Sequence, residues 1–170
     1  MLRRAYVLFF LDLDRRLVFL AGVMAHPIGP WVTQQARNLV AALEDQGRAL
    51  RSLVRDRGAK FVGPFDEVLR STGARVIKTP VRSPRANAFA ERFVRTARAE
   101  CLDWAMVWSE RHLDRVLRGF VAHYNHERPH RGLDLKVPVP DLSDHQFNGV
   151  GRIKRAERLG GLVHEHSVAA

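Results

Sequence analysis

The chain has 170 residues, of which 46% are hydrophobic, enough for one main domain with a buried core and a tail. Lysine and arginine number 28 against 18 acidic residues, a net charge of +10, and this balance favours a polyanionic partner such as nucleic acid over an inert basic surface. The single cysteine, Cys101, excludes an internal disulfide and a cysteine-rich zinc site, and we expect it to be buried within a helix. No stretch approaches the roughly twenty apolar residues of a membrane span, so we expect a cytoplasmic protein without a membrane partner.

Two runs rich in Val, Leu and Phe, residues 5–13 and 17–23, are separated by a charged turn and predict a β-hairpin. Asp12 and Asp14 near this turn invite a catalytic interpretation. We favour the charged turn, because a tight connection between two apolar strands needs polar residues at this point.

The next elements alternate between helix and strand and then end in helices. The predicted order is helix 31–46, strand 50–55, helix 61–71, strand 75–79, helix 87–104 and helix 110–124. This order predicts an α/β domain with a mixed sheet flanked by helices. Beyond residue 138 the composition becomes linker-like, so we assign 1–138 to the main domain. Residues 139–170 are then a linker and tail, with room for a short hairpin around Gly160-Gly161.

Two carboxylates stand out by their predicted positions. Asp56 follows the apolar strand 50–55 directly, and Glu91 lies on the helix that begins after the basic, proline-containing loop 80–85. A carboxylate at a strand end and another on a helix supply the hard oxygen ligands that a divalent metal requires. Spacing alone leaves this interpretation weak, since most Asp and Glu pairs are unrelated surface residues.

Three stretches carry a family resemblance. Residues 54–61, VRDRGAKF, resemble the T-D-x-G-x-x-F stretch at the second aspartate of the retroviral-integrase and insertion-sequence transposase superfamily. Residues 83–93, SPRANAFAERF, are similar to its P-x-x-N-x-x-x-E-R helix. Residues 123–130, HYNHERPH, are similar to the Y-N-x-x-R-P-H ending common in its bacterial transposases. The order and spacing of the three match the family over roughly residues 3–138.

The resemblance implies a ribonuclease H-like fold and a DDE-type site in which Asp56 and Glu91 are catalytic and bind metal. It implies two Mg²⁺ or Mn²⁺ ions in the complete family site, DNA cleavage and strand transfer without a covalent protein–DNA intermediate, and transposon-end and target duplexes as partners. A homo-oligomer and a DNA-associated location in a bacterial cytoplasm are further implications.

Basic residues near the two carboxylates are candidates for DNA contacts. Arg95 and Arg98 lie four and seven positions after Glu91, which places all three on one helical face, and the family usually has a basic residue at the second of these positions. Guanidinium groups suit bidentate phosphate binding. The full set of expected DNA-binding residues is Lys60, Arg82, Arg85, Arg92, Arg95 and Arg98.

The sequence departs from the family at its beginning. The family has a first strand with a third catalytic aspartate ahead of a hairpin like residues 5–23, and this chain begins after it, so we expect the core to lack that strand. A degenerate or shortened transposase and a start codon placed too far downstream both fit, and whether the chain itself is an enzyme stays open.

Two other functions remain as alternatives. One is a non-catalytic DNA-binding or oligomerisation remnant of a transposase. The other is a different ribonuclease H-like nuclease, such as a junction resolvase. The motif ending with Tyr124-Asn125 and Arg128-Pro129-His130 argues against this alternative. For His123, His126 and His130 we favour helix-end packing over a metal site, since no carboxylate or cysteine completes a tetrahedral set.

Overall fold

The structure is a computed structural model that describes residues 4–80, 87–140, 152–161 and 163–169. Its strands are β1 (Tyr6–Leu11), β2 (Val18–Met24), β3 (Ser52–Arg55), β4 (Arg75–Lys78), β5 (Arg152–Arg158) and β6 (Val163–Ala169). Its α-helices are α1 (Gly29–Asp45), α2 (Gly63–Ser71), α3 (Ala88–Glu100) and α4 (Glu110–His126). Elements and order agree with the sequence prediction, and most ends shift by one to three residues.

The turn between β1 and β2 is built around Asp12. Its Oδ1 accepts hydrogen bonds from the backbone N–H groups of Asp14 and Arg15, both at 3.0 Å. Arg16 then takes a left-handed backbone conformation with φ +59°. Such an aspartate-centred turn is a standard way to reverse the chain, so the structure supports the turn interpretation of Asp12.

Strands β3 and β4 form a parallel pair connected by α2, with Leu53 opposite Val76. A parallel pair needs a crossover connection, and α2 supplies it. This helix ends where Gly73 takes φ +84°, a conformation that glycine adopts without steric cost. The βαβ unit therefore delivers the residues after β3 to the carboxyl edge of the pair.

Helices α3 and α4 pack through an aromatic cluster. The ring of Phe93 lies 5.2 Å from that of Tyr124 and 6.5 Å from that of Phe120. Ser109 caps α4, because its Oγ accepts the backbone N–H of His112 at 3.1 Å. Burial of these large rings is the main favourable contribution here.

The prediction that Cys101 lies within a helix was wrong. It is fully buried as expected, but it follows the last residue of α3 and precedes a short 3-10 turn, Leu102–Trp104. The indole N–H of Trp104 donates to the carbonyl of Ala99 at 2.8 Å, which satisfies a carbonyl at the end of α3. Burial raises the pKa of the Cys101 thiol to about 11, so it is an inert packing residue.

The strands that the structure describes pair two by two: β1 with β2, β3 with β4, and β5 with β6 in antiparallel register. By contacts the chain divides into two compact units, one of Met1–Phe9 and Ala21–Glu91, the other of Phe10–Leu20 and Arg92–Ala170. The first has Phe65 and Leu69 fully buried, and the second has Phe120. The architecture is mixed α/β. None of the described helices is long and apolar enough to cross a membrane.

Candidate active site

Asp56 follows the last residue of β3 and is exposed at the carboxyl end of the parallel pair. Its Oδ1 accepts the backbone N–H of Gly58 at 2.8 Å, and the carbonyl of Gly58 accepts the N–H of Phe61 at 3.1 Å. A Cβ atom on residue 58 would lie 2.9 Å from that same Oδ1, so glycine permits the turn to close. The turn fixes one carboxylate oxygen and leaves Oδ2 for a ligand.

Arg55 is buried beside this turn. Its Nε and Nη2 donate to the two carboxylate oxygens of Asp66, each at 2.8 Å, and its Nη1 donates to the backbone carbonyl of Asp56 at 2.8 Å. Arg55 and Asp66 are only 7% and 4% exposed. The guanidinium therefore anchors the end of β3 to α2 and holds the backbone of Asp56.

The Asp66 carboxylate is the centre of a basic environment. Hydrogen bonds from Arg55 are the main cause that lowers the pKa of Asp66; burial opposes them, and the charges of Arg55, Arg70 and Lys78 add to the lowering. The Arg70 and Lys78 nitrogens lie 3.5 and 3.9 Å from Asp66 Oδ2. Asp66 is thus ionised and paired, and it acts as a structural counterion to Arg55.

The sequence analysis missed this pair. Two signals pointed to it: alternation along β3 places Arg55 on the same face as Leu53, and Asp66 lies beside Phe65 on the inner side of α2. Neither signal was sufficient, because an arginine next to a predicted catalytic aspartate is readily taken for a solvated residue.

Glu91 lies in the first turn of α3 and is exposed. A carboxylate there is favoured by the positive end of the helix dipole. Phe93 and Ala97 are the buried residues of the same helix. Glu91 is thus available to a ligand.

The expected DNA-binding residues have different surroundings. Arg92, Arg95 and Arg98 are exposed along α3, and Arg98 Nε lies 3.7 Å from Asp103 Oδ1. Lys60 is half-buried, with its Nζ 3.1 Å from the ring centroid of Tyr6. A hydrogen bond with Arg4, followed by the charge of Lys60, lowers the pKa of the Tyr6 hydroxyl. Arg82 and Arg85 lie outside the described residues.

The residues fit a metal only in part. Asp56 and Glu91 offer oxygen ligands of the kind that Mg²⁺ prefers. Within residues 4–80, 87–140, 152–161 and 163–169, no three His, Cys, Asp or Glu side chains are grouped as a metal site. Asp56 and Glu91 therefore stay the predicted metal ligands of these parts of the chain.

The stretch from Tyr124 to His130 is a structural clamp. The Asn125 amide exchanges two hydrogen bonds with the backbone of Val18, donating to its carbonyl at 2.8 Å and accepting its N–H at 3.0 Å. Arg128 donates twice to Glu100, at 2.9 and 2.6 Å. His130 packs edge-on against Tyr124 with ring centroids 4.6 Å apart. These contacts give the motif a structural role.

A comparison with known protein families found a match for part of the chain. Residues 72–138 match the integrase core domain. The matched segment contains Glu91 and the clamp but not Asp56, and it covers less than half of the chain. No curated protein matches the chain. For the segment that it covers, the match supports an integrase/transposase core.

The solved structures agree in fold. Twenty chains match, among them one from a cryo-EM structure of a simian T-cell lymphotropic virus intasome in complex with PP2A regulatory subunit B56 gamma. That match has a TM-score of 0.54 at 12% identity and covers 95% of this chain and 64% of that chain. The present chain thus spans less than two thirds of the intasome chain. At this identity the match concerns the fold alone, and it supports the predicted ribonuclease H-like α/β architecture.

Proposed function

We propose that this chain belongs to the catalytic core of a DDE-type DNA transposase or integrase of the kind found in bacterial insertion sequences. The observation that carries the proposal is the combination of an integrase core match that includes Glu91 with an exposed Asp56 at the carboxyl end of a parallel strand. The reaction is metal-dependent cleavage of a DNA phosphodiester followed by strand transfer.

Each residue then has a role that suits its surroundings. Asp56 presents its free carboxylate oxygen from a turn that Gly58 closes, and Glu91 presents its carboxylate from the first turn of α3. Mg²⁺ or Mn²⁺ bound there would supply Lewis acidity to activate a water or a 3′-hydroxyl and to neutralise charge on the leaving oxygen. Arg55 keeps the backbone of Asp56 in place, and Arg95 and Arg98 bind phosphate.

With Asp56 and Glu91 as its carboxylate ligands, the site should retain a divalent ion weakly, since Mg²⁺ held by one or two carboxylates takes the rest of its ligands from phosphates and water. A second candidate function follows: a DNA-binding or oligomerising remnant without catalysis. The observation that favours it is that the described residues hold no group of three metal-ligating side chains.

The catalytic function and a DNA-binding remnant both require DNA binding, and duplex DNA, as transposon end or target, is the partner that we propose. The net charge of +10 supplies the attraction, and counterion release supplies most of the affinity. A homo-oligomer, with two DNA ends brought together, is the assembly that we expect for strand transfer.

Fluorescence anisotropy with a labelled duplex at increasing salt tests this proposal. Log K should fall linearly with log salt, with a slope of about −0.9 for each phosphate contact. Replacing Arg95 and Arg98 by alanine should make the slope less negative by about 2, whereas the control Arg37→Ala with Arg115→Ala, two exposed arginines on α1 and α4, should leave it nearly unchanged. Absence of binding at low salt would remove the nucleic-acid function; equal slopes for the two variants would remove the α3 arginines from the interface.

A further inference from the structure

Tyr6 on β1 contacts the turn that carries Asp56. The Nζ atom of Lys60, four positions after Asp56 in that turn, lies 3.1 Å from the centroid of the Tyr6 ring. The hydroxyl of the same side chain accepts a hydrogen bond from Arg4. The face of an aromatic ring attracts a cation electrostatically. Tyr6 therefore brings two cations together, one at its ring face and one at its hydroxyl.

The neighbouring Phe61 anchors the end of the turn from which Lys60 extends. Its ring centroid lies 5.0 Å from that of the fully buried Phe65 and 5.4 Å from the guanidinium carbon of Arg55. Its backbone N–H donates to the carbonyl of Gly58 at 3.1 Å. A free lysine side chain samples many rotamers, and contact with the Tyr6 ring removes most of them before a ligand arrives. Lys60 is therefore preorganised at both ends, by the anchored turn and by the ring.

The charge around Tyr6 is positive and open to solvent. In the part of the chain that the structure describes, neither Lys60 nor Arg4 forms an ion pair with a carboxylate. Tyr6 is 37% exposed, Arg4 is exposed and Lys60 is half-buried, so an anion can approach both cations. A guanidinium and an ammonium group without an acidic partner suit a phosphate of a nucleic-acid backbone.

We propose that Tyr6 is a positioning residue, which holds Lys60 and Arg4 as a binding site for one backbone phosphate of the DNA strand that meets Asp56. The inference rests on the proposed DNA function and adds Tyr6 and Arg4 to the residues expected to act there. Because Lys60 belongs to the turn of Asp56, a phosphate bound by Lys60 fixes the DNA backbone relative to that carboxylate. The ligand is a phosphodiester and not a base, so the site contributes equally to the affinity for every duplex sequence.

A double-mutant cycle tests the proposal, with the affinity of the full chain for a labelled duplex measured by fluorescence anisotropy at low salt. Tyr6→Leu should weaken binding about two- to tenfold, the cost of ordering one free lysine side chain on binding. The same substitution should have no effect on affinity when Lys60→Ala is already present. Tyr6→Phe keeps the ring and should retain most of the affinity. The control is Val7→Ala, the next residue on β1 and equally exposed at 37%, which should leave the affinity unchanged.

Two further measurements separate positioning from a general effect on the fold. Lys60→Ala should make the slope of log K against log salt less negative by about 0.9, the value for one phosphate contact. In the free protein, the ring current of Tyr6 should shift the NMR signals of the Lys60 methylene protons next to Nζ upfield. Tyr6→Phe should keep this shift and Tyr6→Leu should abolish it.

The outcomes distinguish this inference from the proposed function. A wild type that does not bind duplex DNA at low salt would remove both. A wild type that binds, together with a Tyr6→Leu effect that is absent or is equally large with and without Lys60→Ala, would overturn the role of Tyr6 alone. So would a Tyr6→Phe variant that binds as weakly as Lys60→Ala, or Lys60 methylene signals without the upfield shift in the wild type.

Discussion

The buried pair Arg55–Asp66 supports the loop that carries Asp56, and replacing Asp66 by asparagine tests its contribution. The substitution keeps the size of the side chain but removes the charge that neutralises the buried Arg55 guanidinium. Breaking one partner of such a pair costs about 3–5 kcal/mol of the free energy of unfolding, because an uncompensated charge stays buried. In a chain of 170 residues this corresponds to a fall in Tm of roughly 10 °C.

Urea unfolding and thermal unfolding of purified variants measure this loss. The matched control is Asp114→Asn, which breaks another aspartate–arginine pair, to Arg118, whose side chains are 31% and 57% exposed. An exposed pair of this kind contributes only about 0.3–0.5 kcal/mol. Arg55→Met combined with Asp66→Leu should recover most of the loss, since neither charge then remains buried.

The pH dependence gives an independent check. Because Arg55 and the other basic groups lower the pKa of Asp66, its stabilising contribution is fully present above the unfolded value of about 3.9 and is lost as pH falls through the lower folded value. The stability difference between the wild type and Asp66→Asn should therefore be constant near neutral pH and shrink in acid. If Asp66→Asn is no less stable than Asp114→Asn at pH 7, the pair does not hold β3 to α2.

Two other predictions concern the clamp. Burial lowers the pKa of His130 more than its hydrogen bond to the Tyr124 carbonyl raises it, so the wild type should lose stability as pH falls below about 6.5. His130→Gln should remove this pH dependence of stability, whereas the control His126→Gln, at an exposed residue, should keep it. Chemical denaturation at several pH values measures both. Asn125→Ala leaves the buried N–H and carbonyl of Val18 without their partner, so it should lower the free energy of unfolding in urea by about 2–4 kcal/mol. The control Asn38→Ala, at an exposed residue, should change it by less than about 0.5 kcal/mol. Equal losses for the two variants would contradict the clamp.

The local parts of the fold were predictable from the sequence. The apolar runs and the charged turn at Asp12 predicted the first hairpin, and Gly73 marked the end of α2, because each signal acts within a few residues. The run before Asp56 and the glycine after it also placed this carboxylate correctly at a strand end. The integrase core match supports the fold and the family resemblance; the roles of Asp56 and Glu91 stay predictions.

Contacts between distant residues were not predictable. Asn125 bonds to Val18 across 107 positions, and Arg55 pairs with Asp66 across 11, and in neither case does one residue's neighbourhood reveal its partner. The end of α3 before Cys101 depends on the indole of Trp104 reaching back to Ala99, which helix propensity does not record. The exposure of Trp104 and Trp108 was likewise hidden, since aromatic residues at helix ends usually pack inward.

The most direct test of the proposed site is Mg²⁺- or Mn²⁺-dependent cleavage of a labelled transposon-end duplex. We expect negligible cleavage by the 170-residue chain and robust cleavage by a longer protein in which an apolar strand with an aspartate precedes Tyr6. Asp56→Asn or Glu91→Gln in the longer protein should abolish cleavage while DNA affinity stays nearly intact, because phosphate contacts supply the affinity. Robust cleavage by the 170-residue chain would mean that another carboxylate completes the site, and a longer protein still active with Glu91→Gln would contradict the assignment of the site itself.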